Sequence, residues 1–292
     1  MSDRILAHLQ CLVGERHPVT SPSALQQAEH YLAEQFRTLG LDVSLHAFEA
    51  LGGTYRNVIA TLPPSRSSSV PPQPPLIIAA HYDTVQGSPG ADDNASGLAV
   101  MLEVARRLRD VPLNGAVRFI AFCLEEEDLL GSLVYVSHLK ATDQEIRGAI
   151  VLECVGFTRT EEGSQLAPPG LPIAVPTTGN FLGIVGNRAS AGLATLIEHA
   201  ANQRVPDLKT VSFLVPGQGE SFPDTRRSDH AAFWQHGYPA VMLTDTANFR
   251  NPHYHRPTDT LDTLDLAFVD QVACAVAEAV RHLAGTDAGQ AQ

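Results

Sequence analysis

The stretch that most limits what this chain can become is residues 75–83. An apolar run, Leu76, Ile77, Ile78, Ala79 and Ala80, has strand character and ends in His81 and Asp83. Alternate residues of a strand point to the same side, so His81 and Asp83 can face one site. A turn containing glycine and proline follows. Asp92 and Asp93 come next, and Asn94, Ala95, Ser96 and Gly97 then open a helix. Polar, ligand-type side chains at the end of a buried strand are where α/β proteins place their chemistry. This segment is expected to supply a histidine ligand and a bridging carboxylate to a pair of metal ions.

The rest of the chain reads as strands alternating with helices. Residues 3–14 and 23–39 have helical periodicity, with start signals at Ser21, Pro22 and Ser23 and a stop at Gly40. Strands are expected at residues 43–48, 55–62, 117–124, 148–152, 181–185, 211–215 and 239–243. Helices are expected at residues 95–109, 132–139, 190–204 and 264–283, with a short one opening at Ser228, Asp229 and His230. The predicted fold is a single α/β domain over residues 1–285, with a mixed, mostly parallel central sheet flanked by helices on both faces. Residues 63–75 carry six prolines and four serines and read as a mobile loop joining two strands. Residues 286–292 read as a disordered tail.

Size and charge remove several function classes. A chain of 292 residues can bury a large core. Its 20 basic and 32 acidic residues give a net charge of −12, which argues against nucleic acid or an anionic membrane as the main partner. Cys11, Cys123, Cys154 and Cys274 are scattered, which argues against a disulfide framework or zinc finger and for buried free thiols. The N-terminal residues do not read as a signal peptide, and no window approaches a membrane span, so a cytoplasmic protein is expected. The sequence leaves the oligomeric state open.

Five potential metal ligands fall at the ends of elements: His81, Asp93, Glu126, Glu153 and His255. Imidazole and carboxylate without thiolate suit zinc, with manganese or cobalt as substitutes. Two ions need one shared carboxylate and about two further protein ligands each. The residues alone do not choose between Asp92 and Asp93, and Asp92 is also a candidate helix cap. His253 and His255 are two apart and can face one way. Glu125 and Glu126 are adjacent, so on a regular strand only one can point at a given metal, leaving its neighbour free as a general base toward water. Glu127 and Asp128 read as solvated rim. Ser228 is either a helix cap or part of the site, and Asp229 either supports a ligand or meets a substrate amine. His8, His17, His30, His46, His138, His199, His236 and His282 lack acidic company and read as surface residues.

The pattern resembles the co-catalytic di-zinc exopeptidases, a family that includes bacterial zinc aminopeptidases, glutamate carboxypeptidase II and the catalytically dead transferrin receptor. Six stretches carry the likeness in order across residues 76–260: His81 to Asp83; Gly90 to Gly97; Glu125 and Glu126 with Gly131; Leu152 to Gly156; Ser228 to His230; and His255 with Asp259 and Thr260. The resemblance implies two zinc ions per chain. His81 and Glu153 would hold one, Glu126 and His255 the other, and Asp93 would bridge them. It implies a cis bond between Asp93 and Asn94, Asp83 fixing the ring of His81, Glu125 as general base toward a di-zinc-bridged water, and Tyr254 as a phenol that polarises the scissile carbonyl. Many members have Asp where this chain has Glu153; both are hard oxygen ligands, so metal binding is expected to survive.

The activity so implied is aminopeptidase cleavage of peptides with a free N-terminus. Two competitors come from nearby chemistry: a glutaminyl cyclase-like acyl transfer using one zinc, and a di-zinc amidohydrolase or carboxypeptidase of the same clan. A non-catalytic relative would have lost ligands that are all kept here. The residue preferred at the cleaved position is not legible, because it depends on pocket walls in residues 157–180 and 217–227.

Overall fold

The computed structural model describes residues 2–65 and 73–284. The apolar runs become one eight-stranded sheet, ordered β1-β2-β4-β3-β5-β8-β6-β7. The strands are β1 (Asp42–Ala50), β2 (Gly53–Leu62), β3 (Gln73–His81), β4 (Gly115–Phe122), β5 (Gly148–Glu153), β6 (Phe181–Asn187), β7 (Lys209–Val215) and β8 (Ala240–Thr244). β3, β4, β5 and β8 run parallel as a central block. β1 and β2 extend it as an antiparallel hairpin on one side, and β6 crosses antiparallel to β8 on the other.

Each face of the sheet carries its own apolar core. Leu76, Ile78 and Ala80 face one side with α1 (Ser2–Leu12), α2 (Pro22–Thr38), α3 (Gly97–Leu108), α5 (Ala191–Arg204) and α7 (Leu266–Ala284). Ile77 and Ala79 face the other with α4 (Leu130–Ala141) and α6 (His230–Gln235). A strand buried on both faces needs the continuous apolar run that this sequence shows, and parallel pairing follows from the helical crossovers.

Several expectations shift. The loop expected over residues 63–75 is shorter: Gln73, Pro74 and Pro75 already belong to β3, where Gln73 pairs with Gly115 across a bulge. A bulge lets prolines sit in a strand without leaving ladder donors unmet. Residues 66–72 and 285–292, which hold the rest of that loop and the expected tail, lie outside the described residues. Cys11 is exposed rather than buried. Among the described residues, no helix is long and apolar enough to cross a membrane.

The parallel block positions the chemistry. β3 leads through α3 to β4 on one side, and β5 then returns to the opposite side of β3. The carboxyl ends of strands about such a reversal leave a crevice. His81 ends β3, Glu125 and Glu126 follow β4, Glu153 ends β5, and the segment after β8 carries residues 245–259 to the same edge.

Candidate metal centre

Two ligand triads share one carboxylate. His81, Asp93 and Glu153 form one, and Asp93, Glu126 and His255 the other; within each, the ligand atoms lie within 4.8 Å of one another. His81 Nε2 is 3.1 Å from Asp93 Oδ1 and 3.5 Å from Glu153 Oε2. His255 Nε2 is 3.0 Å from Asp93 Oδ2 and 3.2 Å from Glu126 Oε2. Ligands at about 2.0 Å around a tetrahedral ion would stand roughly 3.3 Å apart, so these separations suit zinc. His81 Nε2 and both oxygens of Asp93 are buried without a hydrogen-bond partner despite their closeness. Atoms that approach but do not hydrogen-bond fit lone pairs aimed at a common point between them. The donor set therefore fits two ions, one per triad.

The supporting contacts explain how the ligands reach their places. The loop Ala91–Ser96 departs from helical geometry at Asp93 and Asn94, and the bond between these two residues is cis. The Asp259 carboxylate accepts the backbone N–H groups of Asp92 at 2.9 Å and Asp93 at 3.2 Å. Asn94 donates to Leu152 O at 2.7 Å, and its Oδ1 accepts from Gly97 N at 3.1 Å and Cys154 N at 3.3 Å. The loop carrying the shared carboxylate is thus tied directly to the end of β5, which carries Glu153.

Asp83 works differently from the expected ring-fixing contact. The Nδ1 of His81 meets the backbone carbonyl of Asp83 at 3.1 Å, whereas the Asp83 carboxylate is 3.7 Å away. That carboxylate instead accepts the N–H groups of Glu125 and Glu126, each at 3.1 Å. Asp83 fixes the tautomer of His81 through its main chain and the path of the two glutamates through its side chain.

The Glu125–Glu126 pair also departs from strand logic. β4 ends at Phe122, and Leu124 adopts φ 61°. The alternation argument no longer applies, and both carboxylates converge with His81. Glu125 Oε2 lies 3.9 Å from His81 Nε2 and belongs to neither bridged triad.

Asp92 is not a helix cap. Its side chain accepts from Gly156 N at 2.8 Å and Asn251 Nδ2 at 2.7 Å, and it points away from the triads. His253 turns to Thr258 and Phe157, leaving His255 as the histidine that faces Asp93. Ser228 makes no side-chain cap to α6; its hydroxyl donates to Glu153 Oε2 at 2.7 Å. Cys154 lies just past the end of β5 with φ 50° and places its thiol 3.4 Å from Glu153 Oε1. Asp229 is fully buried with both oxygens unpartnered. Tyr254 stacks on the His255 ring, with centroids 3.8 Å apart and planes 15° from parallel.

Arg16 was not singled out by its sequence context. It is 2% exposed. Its guanidinium donates to Tyr82 O at 2.7 Å, Gly14 O at 2.7 Å, Pro89 O and Gly90 O at 3.2 Å, and to Leu12 O. It joins the first helix to the segments that carry His81 and Asp93. An arginine following a helix in sequence looks like any surface cation, so only tertiary contacts reveal this role.

Crowding of acids sets the protonation pattern. Burial pushes Glu125 well up, and the charges of Glu153, Glu126 and Asp229 add to it. Burial and Asp93 raise Glu126 to about 7. Burial opposes ionisation of Asp93, but His255 and His81 outweigh it and hold its carboxyl below the usual range. Burial would lower both imidazoles. The carboxylates around them prevail, placing His81 well above its ordinary value and His255 at about 10. Without cations, protonated histidines stand in for the positive charge the acids require.

Beside Glu153 and Tyr254 opens a cavity of about 110 Å³. Parts of the two stretches expected to form pocket walls, residues 165–175 and 224–227, line it together with residues 246–249 and strands β6, β7 and β8. Leu166, Leu171, Phe181, Phe213, Met242 and Phe249 make it apolar, and Arg227 and Asp224 line it as well.

The family described as Peptidase family M28 matches residues 57–280. The chain is 35% identical over 263 residues to the uncharacterized protein YfbL of Escherichia coli, covering 85% of this chain and 77% of that one. It is 31% identical over 219 residues to aminopeptidase YwaD of Bacillus subtilis, covering 70% of this chain but only 41% of YwaD. Among solved structures it resembles BSAP, a zinc aminopeptidase from Bacillus subtilis, with a TM-score of 0.59 at 28% identity over 82% of this chain and 52% of that one. Glutaminyl cyclase of Porphyromonas gingivalis has the same fold, with a TM-score of 0.70 at 19% identity over 97% of this chain and 98% of that one.

Proposed function

This chain belongs to peptidase family M28, and on that footing we propose that it is a di-zinc aminopeptidase releasing an apolar N-terminal residue from peptides. The observation that carries the reading is the pair of triads sharing Asp93, with Glu125 beside them. His81 and Glu153 would hold one ion, Glu126 and His255 the other, and Asp93 both. Bound zinc would supply Lewis acidity toward the scissile carbonyl and acidify an attacking water.

The chain's own groups do the rest. Glu125 takes a proton from the water and hands it to the departing amine. Its raised affinity for protons in the bare site falls when nearby cations offset Glu153 and Glu126. Tyr254 donates a hydrogen bond to the carbonyl oxygen as charge develops there. The apolar cavity takes the first side chain, since desolvating a charged one against Phe181 and Phe213 is costly. The names of YwaD and BSAP support the aminopeptidase reading. An acyl-transferring cyclase using one zinc is the competing reading; the second triad and the apolar cavity weigh against it.

Metal analysis joined to a panel of aminoacyl-chromogenic substrates tests this, with N-terminal glutaminyl peptides included. The wild type should carry two zinc ions and prefer leucyl or phenylalanyl substrates. Glu125→Gln should keep both ions and lose about 10²–10⁴-fold in kcat. Cyclisation of glutaminyl peptides with one zinc per chain would sink the proposal.

A further inference from the structure

Arg227 stands at the edge of the apolar cavity, beside the residues proposed for catalysis. Its Nη2 donates to Tyr254 Oη at 3.2 Å, and its Nη1 donates to Asn248 Oδ1 at 2.7 Å. The guanidinium carbon lies 5.6 Å from the Tyr254 ring centroid. Asp224 Oδ1 is 3.8 Å from Nη1. The other face-to-face partner of Tyr254 is the His255 ring at 3.8 Å. Tyr254 is thus held by its ring and by its oxygen.

The type of hydrogen bond matters. A guanidinium only donates, whereas a phenol both donates and accepts. When Arg227 donates to Oη, the phenol's acceptor side is engaged, and its own hydrogen must find an acceptor elsewhere. A neighbouring cation also draws electron density from the phenol oxygen and strengthens the bond that its O–H donates. The planar fork fixes this orientation because a second donor is anchored on Asn248.

We propose that Arg227 is a positioning residue that commits Tyr254 to act as a hydrogen-bond donor toward the scissile carbonyl, while its second arm ties that donor to the cavity wall at Asn248. The proposal rests on the role given to Tyr254 in the reading above. Arg227 acts through Tyr254, so its effect belongs to kcat: it strengthens a bond that grows as the carbonyl oxygen gains charge.

A double-mutant cycle on the zinc-loaded full chain tests it, using Arg227→Gln, Tyr254→Phe and the pair with a leucyl-chromogenic substrate. Tyr254→Phe should lower kcat by about 100-fold, as loss of an oxyanion donor does. Arg227→Gln should lower kcat by about tenfold with KM within about twofold, and with metal content and melting temperature unchanged. In the Tyr254→Phe background the same substitution should cost less than about twofold. An equal loss in both backgrounds, or full kcat in Arg227→Gln, overturns the positioning role while leaving the aminopeptidase reading intact. Full kcat in Tyr254→Phe removes the phenol from the reaction, and the proposal with it. A wild type that cleaves no aminoacyl substrate overturns the function itself.

Discussion

Single side chains around the triads divide their labour by which atoms they occupy. Glu153 has one oxygen bonded by Ser228 at 2.7 Å, and the other approached by the Cys154 thiol at 3.4 Å. A carboxylate longer by one methylene than aspartate has an extra torsion to fix, and Ser228 fixes it. Ser228→Ala should therefore weaken zinc at the His81–Glu153 site by about 10–100-fold, while the Glu126–His255 site keeps its affinity. Competition with a chelator, read as two separate release steps, checks this; equal weakening at both sites would contradict it. Asp92 and Asp93 show the same division. They are adjacent, of one residue type and both buried, yet one meets Gly156 N and Asn251 while the other faces two histidines. Nothing in their residue type distinguishes them; the loop geometry does.

Elements place these residues, and the loop Ala91–Ser96 is tightly held by Asp259 and Asn94. A Cβ on Gly97 would lie 2.3 Å from Asn94 Oδ1 and 3.0 Å from Leu152 O. Gly97→Ala must therefore displace the Asn94 side chain that clamps this loop to β5. It should destabilise the metal-free protein by about 2 kcal/mol and also reduce zinc uptake; urea unfolding at matched slope measures the first. Neutral behaviour would mean that Asn94 has room to move. The strands were legible because β3, β4 and β5 are continuous apolar runs, which few other structures need. His81 and Glu153 could be picked out as candidate ligands because they stand where such runs stop, and an ionised group there requires a partner. The turn after β4 was not. Its course depends on positive φ at Leu124, Asp128 and Leu129, residue types that do not advertise that conformation. Gln73 to Pro75 read as loop from their prolines and joined β3 because a bulge accommodates them. Arg16 was silent for a third reason: its meaning lies in carbonyls more than 60 residues away along the chain.

At the scale of the whole molecule, the sheet brings acids from four strand ends into one mostly buried cluster, and folding must tolerate them before any cation arrives. The metal-free chain does so with protons. His255, at about 10, and His81, also raised, carry charge at neutral pH. Glu126, Asp229 and Asp259 each sit at about 7, mainly through burial. Every one of these groups holds its proton more tightly when folded than when unfolded, so the folded state binds more protons across this range. Stability of the metal-free protein should then fall as pH rises, through about 4–7 for the carboxyls and from about 6.5 to about 10 for His255. Asp93 works in the opposite sense, since its lowered value makes the folded form lose stability only in acid. Zinc needs neutral imidazole and ionised carboxylate, so it competes with these same protons. Loading should release about two protons per chain near pH 7, and the gain in melting temperature on adding zinc should grow from pH 6 to pH 8. Calorimetric titration of the metal-free protein in buffers of different ionisation enthalpy counts the protons. Zinc binding without proton release would mean that the acids are balanced by something other than His81 and His255, and the charge pattern assigned to the bare site would be wrong.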